Sequence, residues 1–177
     1  MGIDPGTNKM GYALISVIGK KATFLNMGYL KVPSTLSAYD KLLVIFQRVE
    51  ELMIEFSPSE VAYEAPFYGE NIQSMLKLGR AQGVAMVAAS KHGAKVFEYA
   101  PRKIKLAITG TGGASKGQVA NLLKAIFKFK ELPENQDSTD ALAIAMCHFY
   151  QNTNVANNKS SHKSWEDYVK ANPEKIR

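Results

Sequence analysis

Residues 2–32 read GIDPGTNKMGYALISVIGKKATFLNMGYLKV, and this stretch decides the architecture of the chain. It contains apolar-rich runs separated by short turn-forming sequences: Gly2–Asp4, Pro5–Asn8, Met10–Val17, Gly19–Lys21 and Ala22–Val32. Turn residues between strand-forming runs predict three consecutive antiparallel strands. We therefore expect the fold to begin with a meander.

Helices and strands alternate after this meander. Between Leu36 and Phe56 the apolar residues recur at spacings of three and four, which predicts an amphipathic helix ending before Pro58. Further elements are predicted along the rest of the chain: strands at Glu60–Ala65 and Lys95–Tyr99, and helices at Asn71–Lys91, after Pro101, at Ser115–Lys128 and at Gln136–Tyr150. This order predicts an α/β fold with a five-stranded mixed sheet flanked by helices.

The length and composition predict one main domain. The chain has 177 residues and is 46% hydrophobic, which is enough for a single sizeable core over residues 1–150. Residues 151–177 form a polar tail rich in Asn, Ser and Lys. Within this tail, Trp165, Tyr168 and Val169 define a short helical patch that could dock on the domain.

The charge predicts a polyanionic partner. Lys and Arg total 22 against 16 Asp and Glu, giving a formal net charge of +6. The segment Glu98–Lys130 carries seven basic residues and one acidic residue, so it accounts for the whole excess. The remainder of the sequence is electrically balanced.

Several classes of protein are disfavoured by what the sequence contains. A single cysteine, Cys147, allows neither an intrachain disulfide nor a Cys-rich zinc site, and it favours a reducing compartment. We expect it to be buried filler. No apolar run approaches the ~20 residues of a membrane helix, and no signal peptide is visible at the start. A soluble, cytoplasmic protein without membrane contact is predicted.

Two acidic residues lie on predicted strands. Asp4 ends the first strand, directly before a Pro-Gly turn, where a side chain is held by the sheet and exposed at its rim. The alternative is that Asp4 bonds only the turn backbone. Glu64 lies inside a strand, where acidic residues are rare, so a cation partner is favoured over an edge strand facing water.

Asp137 and Asp140 stand three residues apart at the start of the last helix, and this spacing puts both carboxylates on one helix face. Their alternative role is to cap the positive end of the helix. Four carboxylates that converge repel one another unless a cation lies between them. Hard oxygen ligands select Mg²⁺ or Mn²⁺, and two such ions can hydrolyse a phosphodiester.

Four segments, in this order and spacing, resemble the RuvC family of Holliday junction resolvases: Gly2–Thr7, Tyr63–Glu64, Leu76–Ala85 and Asp137–Ala145. The resemblance covers residues 1 to about 150. It implies an RNase H-like fold and a homodimer that cuts four-way junction DNA by paired symmetric nicks in recombination and repair. Branch-migration proteins RuvA and RuvB are implied as partners.

The resemblance also implies residue roles. Asp4, Glu64, Asp137 and Asp140 correspond to the family's catalytic, metal-binding carboxylates, so two Mg²⁺ ions per site are expected, with Mn²⁺ as a substitute. The chain departs from the family at its start, where fewer residues precede Asp4 than usual, so the first strand is expected to be short or trimmed.

Other residues correspond to the family's DNA contacts. Lys105 and Lys116 match basic residues near the scissile DNA, and Phe67 matches an aromatic residue inserted at the junction. Phe67 and Tyr68 follow Pro66 in a predicted loop, where they face DNA unless they are core aromatics. The glycine-bearing loop Gly110–Lys116 either joins two helices or approaches a phosphate backbone.

Two alternative functions remain at this stage. Gly2–Thr7 also resembles a phosphate-binding segment of the actin, Hsp70 and sugar kinase ATPases, although the chain is short for two lobes. A catalytically silent module that binds branched DNA is the other alternative. His148 is expected to be a packed histidine and not a metal ligand. The helix containing Gly79 and Gly83 packs on its own sheet or on a second subunit.

Overall fold

Strands and helices follow the predicted order. The computed structural model describes residues 1–66, 71–133 and 135–158, with only the backbone described for 154–158. The elements in chain order are β1 (Gly2–Pro5), β2 (Lys9–Ile18), β3 (Lys21–Lys31), α1 (Ala38–Phe56), β4 (Glu60–Glu64), α2 (Ile72–Lys91), β5 (Lys95–Tyr99), α3 (Pro101–Thr109), α4 (Lys116–Phe127) and α5 (Gln136–Asn158).

The strands form one mixed sheet in the order β3-β2-β1-β4-β5. β1 pairs antiparallel with β2 and parallel with β4, and β4 pairs parallel with β5. β1 has four residues, and its central position means that both of its edges are paired. The predicted five-stranded mixed sheet, and with it the RNase H-like arrangement, is confirmed.

Helices cover both faces of the sheet. On one face, which we call the α1/α2 face, Ile3 and Tyr63 pack with buried residues of α1 and α2. On the opposite face, the α5 face, Ala13 and Ala62 pack with α5, and α3 and α4 pack against α5. Residues 141–149 of α5 are all buried, because the helix lies between the sheet and these two outer helices.

Two glycines let α5 lie directly on the sheet. A Cβ atom on Gly11 would stand 1.9 Å from the backbone oxygen of Asp137, and one on Gly2 would stand 2.2 Å from that of Ala141. These distances are impossible for real atoms, and the opposing atoms belong to the backbone, so they cannot swing aside. Any side chain at either position would displace α5 from β1 and β2.

α5 is longer than the sequence predicted. We expected the helix to end at Tyr150, but it continues to Asn158. A tertiary contact supports the start of this extension, because Asn152 donates to the Glu60 carboxylate at 3.2 Å. Within the helix, the Thr153 hydroxyl donates to the Phe149 carbonyl at 3.0 Å. The patch at Trp165, Tyr168 and Val169 lies outside the described residues. Among the described helices, none is both long and apolar enough to cross a bilayer.

Candidate active site at the rim of the sheet

Two neighbouring parallel strands bring Asp4 and Glu64 together. Ile3 pairs with Tyr63 across β1 and β4, so the next residues, Asp4 and Glu64, are side by side where these strands end. Side chains alternate between the faces of a strand. Since Ile3 and Tyr63 face the α1/α2 core, the two carboxylates lie towards α5.

The start of α5 brings the acid pair to the same rim. The Asn135 side chain accepts a hydrogen bond from the Asp137 amide at 2.8 Å, so Asn135 supplies a cap for the helix. Gly11 pairs with Asp4 and also touches the Asp137 backbone. Because Asn135 supplies the cap, the two aspartates are not required for capping. Asp140, one turn further along α5, lines the same pocket as Asp4 and Glu64.

A pocket of about 230 Å³ collects most of the candidate site residues. Its polar lining consists of Asp4, Glu64, Asp140, Lys105 and Lys116. Asp137 does not line this pocket, but its charge contributes to the pKa of Asp4. Acids from three elements that lie far apart in sequence thus lie beside both of the lysines that were predicted to contact DNA.

The acids in the pocket perturb one another. Burial, followed by the charges of Asp140 and Glu64, raises the pKa of Asp4 to about 7. Burial and the Asp140 charge also raise the pKa of Glu64, while Lys116 and Lys105 lower it. Within the described residues, the Asp4 carboxylate accepts no hydrogen bond. The alternative that Asp4 serves only to bond the turn has no support, and a cation at this position would relieve the repulsion.

Lys116 is the cation nearest to these acids. Its ammonium group donates to the Asp140 carboxylate at 2.5 Å, and this bond raises the pKa of the lysine. As the side chains stand, the described residues contain no group of three Asp, Glu, His or Cys ligands ready to hold a metal ion. The donor set is nevertheless that of a hard cation, since carboxylate oxygens of Asp4, Glu64 and Asp140 share one pocket.

The glycine-bearing loop brings Lys116 to the pocket. Gly110 ends α3 with φ of 76°, a left-handed conformation that suits glycine. Ser115 begins α4 through a capping box with Gln118, so Lys116 is the first residue of the helix. The loop therefore joins two helices, as one alternative predicted, and it also fixes the basic residue beside Asp140.

Gln82 is a residue of the site that the sequence analysis missed. It is buried on α2, and its side-chain amide donates to the Glu64 carbonyl at 3.1 Å and to the Glu98 carboxylate at 2.8 Å. It therefore ties the end of β4 to β5 directly behind Glu64. A buried glutamine on an apolar helix face was the available signal.

We predict that Gln82→Met lowers cleavage roughly tenfold, because the Glu64 backbone loses its tether while the volume of the side chain is kept. Junction binding should change less than twofold, since no DNA-facing charge is removed. Gln73→Met on the exposed side of the same helix is the matched control. Equal cleavage by both variants would remove Gln82 from the site.

His148 is a packed histidine, as predicted. It is buried, its Nδ1 lies 2.7 Å from the Tyr99 hydroxyl, and its Nε2 lies 2.8 Å from the Glu60 carboxylate. Its neighbour Cys147 is also buried, in agreement with its expected role as filler. Phe67 and Tyr68 lie outside the described residues, so their DNA-facing role stays a prediction.

The sequence is similar to that of a known protein family. The family "Crossover junction endodeoxyribonuclease RuvC" matches residues 1–148. The protein of that name from Christiangramia forsetii is 50% identical over 100% of this chain and 92% of its own length. The corresponding protein of Cytophaga hutchinsonii is 48% identical, over 100% of this chain and 87% of its own length.

Solved structures agree with the sequence comparison. A Thermus thermophilus RuvC structure matches with a TM-score of 0.78 and 36% identity, over 86% of this chain and 95% of its own. The same protein in complex with Holliday junction substrate matches with a TM-score of 0.81 and 34% identity, over 87% and 94%. A yeast mitochondrial Holliday junction resolvase, at 13% identity and a TM-score of 0.67 over 89% and 80%, shares the fold.

Proposed function

The chain belongs to the RuvC family of crossover junction endodeoxyribonucleases, and on this premise we propose that it resolves Holliday junctions by hydrolysing DNA phosphodiesters at the rim pocket. The observation that carries the proposal is the meeting of Asp4, Glu64 and Asp140 with Lys105 and Lys116 in one pocket. The family membership argues against the ATPase alternative.

The chemistry proposed is divalent-metal hydrolysis, with two Mg²⁺ ions held by Asp4, Glu64, Asp137 and Asp140 and with Mn²⁺ as a substitute. Bound ions of this kind activate water and stabilise the leaving oxygen of a phosphodiester. The carboxylates supply hard oxygen donors. Burial, together with the charges of Asp140 and Glu64, raises the pKa of Asp4, and a divalent cation would favour its charged form. Side-chain rotation is required, because Asp140 is held by Lys116.

Lys105 and Lys116 are proposed to contact the DNA phosphates beside the reacting bond. Both line the pocket of the acids, and the Lys116 side chain is 67% exposed, so its ammonium group can reach solvent or a phosphate. If Asp140 held a divalent cation, the Lys116 ammonium group would be free to bind a phosphate. Phe67 and Tyr68 are proposed to contact bases where the arms meet.

Resolution requires two cuts in strands of like polarity, so we propose a two-fold homodimer in which each subunit makes one cut. The surface that fits a second subunit is an apolar stripe on α2, which we define as Ile72, Leu76, Gly79, Gly83 and Val87. Ile72, Leu76 and Val87 are 69%, 51% and 61% exposed. A Cβ on either glycine would meet no atom within 4 Å, so a second helix could approach closely.

The other side of α2 fills the core of its own subunit. Ala81, Ala85, Ala88 and Ala89 are fully buried against the sheet and α1. The small residues on this side of α2 therefore pack within their own subunit. The apolar stripe lies on the opposite side of the helix, where we propose that the second subunit binds.

We predict that Leu76→Glu shifts the protein from dimer to monomer, because two buried like charges would face each other across the symmetry axis. Sedimentation velocity at micromolar concentration measures the mass. Ile54→Glu, an exposed apolar residue on α1, is the matched control and should leave the dimer intact. Dimers of unchanged stability in Leu76→Glu would place the interface elsewhere.

The function is tested by incubating the protein with a synthetic four-way junction and with linear duplex of the same sequence, with and without Mg²⁺. We expect symmetric nicking of the junction only, and only with the metal. Binding of the junction without any cleavage in Mg²⁺ or Mn²⁺ would instead support the silent-module alternative.

Roles in recombination and DNA repair, with RuvA and RuvB as partners in branch migration, are proposed from the family alone. The division into a nuclease domain over residues 1–150 and a tail over 151–177 is also proposed, from the length and composition of the sequence.

A further inference from the structure

A second cationic surface lies on the other side of the β1–β2 turn from the acid pocket. It is a groove of about 300 Å³ between that turn, α1 and α2, and we call it the cationic groove. Its polar lining consists of Thr7, Asn8, Tyr39, Lys41, Lys77 and Arg80. It is separate from the basic segment Glu98–Lys130, which contributes no residue to it.

Among the residues that the structure describes, the three cations of the groove have no acidic partner. Within the described residues, Lys41, Lys77 and Arg80 form no salt bridge, and no carboxylate lines the groove. The neighbouring Asp40 is bound by the Ser37 hydroxyl at 2.7 Å. Three like charges gathered without a counter-charge create a positive potential that attracts an anion.

One cation of the groove is held by a hydrogen bond, and the other two lie on one helix. Lys41 donates to the Asn8 side chain across the groove at 3.0 Å, and its ammonium group has two further protons for a ligand. Lys77 and Arg80 stand three residues apart on α2, so they project from the same side of that helix. Tyr39 is 80% exposed, and its hydroxyl is a group that commonly binds DNA phosphates.

The residues that line the groove are close in sequence to residues beside the acids. A smaller pocket, of about 210 Å³, is lined by Asp4, Pro5, Glu64 and Gln82 and also by Leu78, the residue after Lys77 of the groove. Asp4 and Thr7 are three residues apart, so their Cα atoms are separated by at most about 11 Å. A DNA strand advances about 3.4 Å per nucleotide, so the edge of the groove at Thr7 is at most about three nucleotides from Asp4.

We propose that the cationic groove binds backbone phosphates of the strand being cut, within about three nucleotides of the scissile phosphate. This inference rests on the proposed function and adds a second contact region to it. The acid pocket is then flanked by cations on both faces of the sheet, with Lys105 and Lys116 on the α5 face and the groove on the α1/α2 face. Phosphates bound on both sides would hold the scissile phosphate over the acids.

The test uses the double variant Lys77→Gln/Arg80→Gln and the salt dependence of junction binding. Each lost phosphate contact lowers the slope of log K against log[salt] by about 0.9, so the double variant should lose about 1.8. Its affinity at 0.1 M salt should fall by roughly 50-fold. The matched control is Lys20→Gln/Lys21→Gln, which removes two exposed cations from the opposite turn of β2 and should keep the wild-type slope.

Neutral methylphosphonates placed one at a time on either side of the scissile phosphate locate the contact. A methylphosphonate at one or two positions within three nucleotides of the scissile phosphate should lower the affinity of wild type about fivefold to tenfold. At the same positions it should lower the affinity of the double variant less than twofold. An unchanged slope, or identical methylphosphonate profiles for the two proteins, would overturn the groove. The proposal would also be overturned if the double variant lost binding to phosphatidylserine vesicles but bound the junction like wild type, because the groove would then serve an anionic membrane and not DNA.

These outcomes differ from a failure of the proposed function. A wild-type protein that neither binds nor cleaves the four-way junction contradicts the function itself. If wild type cleaves the junction and the double variant has the wild-type salt slope and methylphosphonate profile, only the proposal for the cationic groove is contradicted.

Discussion

Asp4→Asn should reduce junction cleavage by more than about 100-fold while junction binding is retained or strengthened. Asparagine keeps the shape of the side chain but removes the charge needed to hold a divalent cation. It also removes a negative charge that opposes DNA. Single-turnover cleavage and gel-shift binding on one junction measure the two effects separately.

The same result is expected for Glu64→Gln, Asp137→Asn and Asp140→Asn, although Asp137 lies outside the pocket lining. Glu51→Gln, a charge-neutralising change on α1 at an exposed position, is the control and should cleave like wild type. Wild-type turnover in any of the four variants would remove that residue from the catalytic set.

Gly11→Ala should destabilise the protein by about 1–3 kcal/mol or more and should also abolish most cleavage. The added Cβ would meet the Asp137 backbone oxygen at 1.9 Å, so α5 must move away from β2 at the point where Gly11 pairs with Asp4. Without that contact, alanine would be the better residue in a strand. Thermal unfolding and single-turnover cleavage measure the two losses.

Gly117→Ala is the control for the stability measurement. A Cβ there would lie no closer than 3.9 Å to its neighbours, and alanine favours the helix, so the midpoint of unfolding should not fall. If Gly11→Ala unfolded at the wild-type temperature and cleaved normally, the close packing of α5 on the sheet would not set the geometry of the site.

Local patterns in the sequence predicted the elements and the acids. The limits of α1, α2, β5 and α4 follow from periodicity, caps and prolines, which are properties of neighbouring residues. The end of α5 could not be predicted this way, because residues after Tyr150 are poor helix formers held by contacts such as that from Asn152 to Glu60.

Contacts between distant segments were also invisible in the sequence. The roles of Gly2 and Gly11 depend on a helix more than 120 residues further along the chain. The cationic groove could not be predicted because the first half of the chain is electrically balanced in total. Among the described residues, however, no acid lines the groove with Lys41, Lys77 and Arg80. Charge summed along a sequence does not report charge gathered in space.

Paired cutting at the acid pocket is tested most directly on a plasmid that extrudes a cruciform. Wild-type protein with Mg²⁺ should convert it in one binding event to linear product, since two subunits cut strands of like polarity. Adding excess Asp4→Asn protein, with time for subunit exchange, should shift the product to nicked circles, because mixed dimers cut once. Undiminished linear product together with a monomeric mass, or no Mg²⁺-dependent cutting at all, would contradict the account.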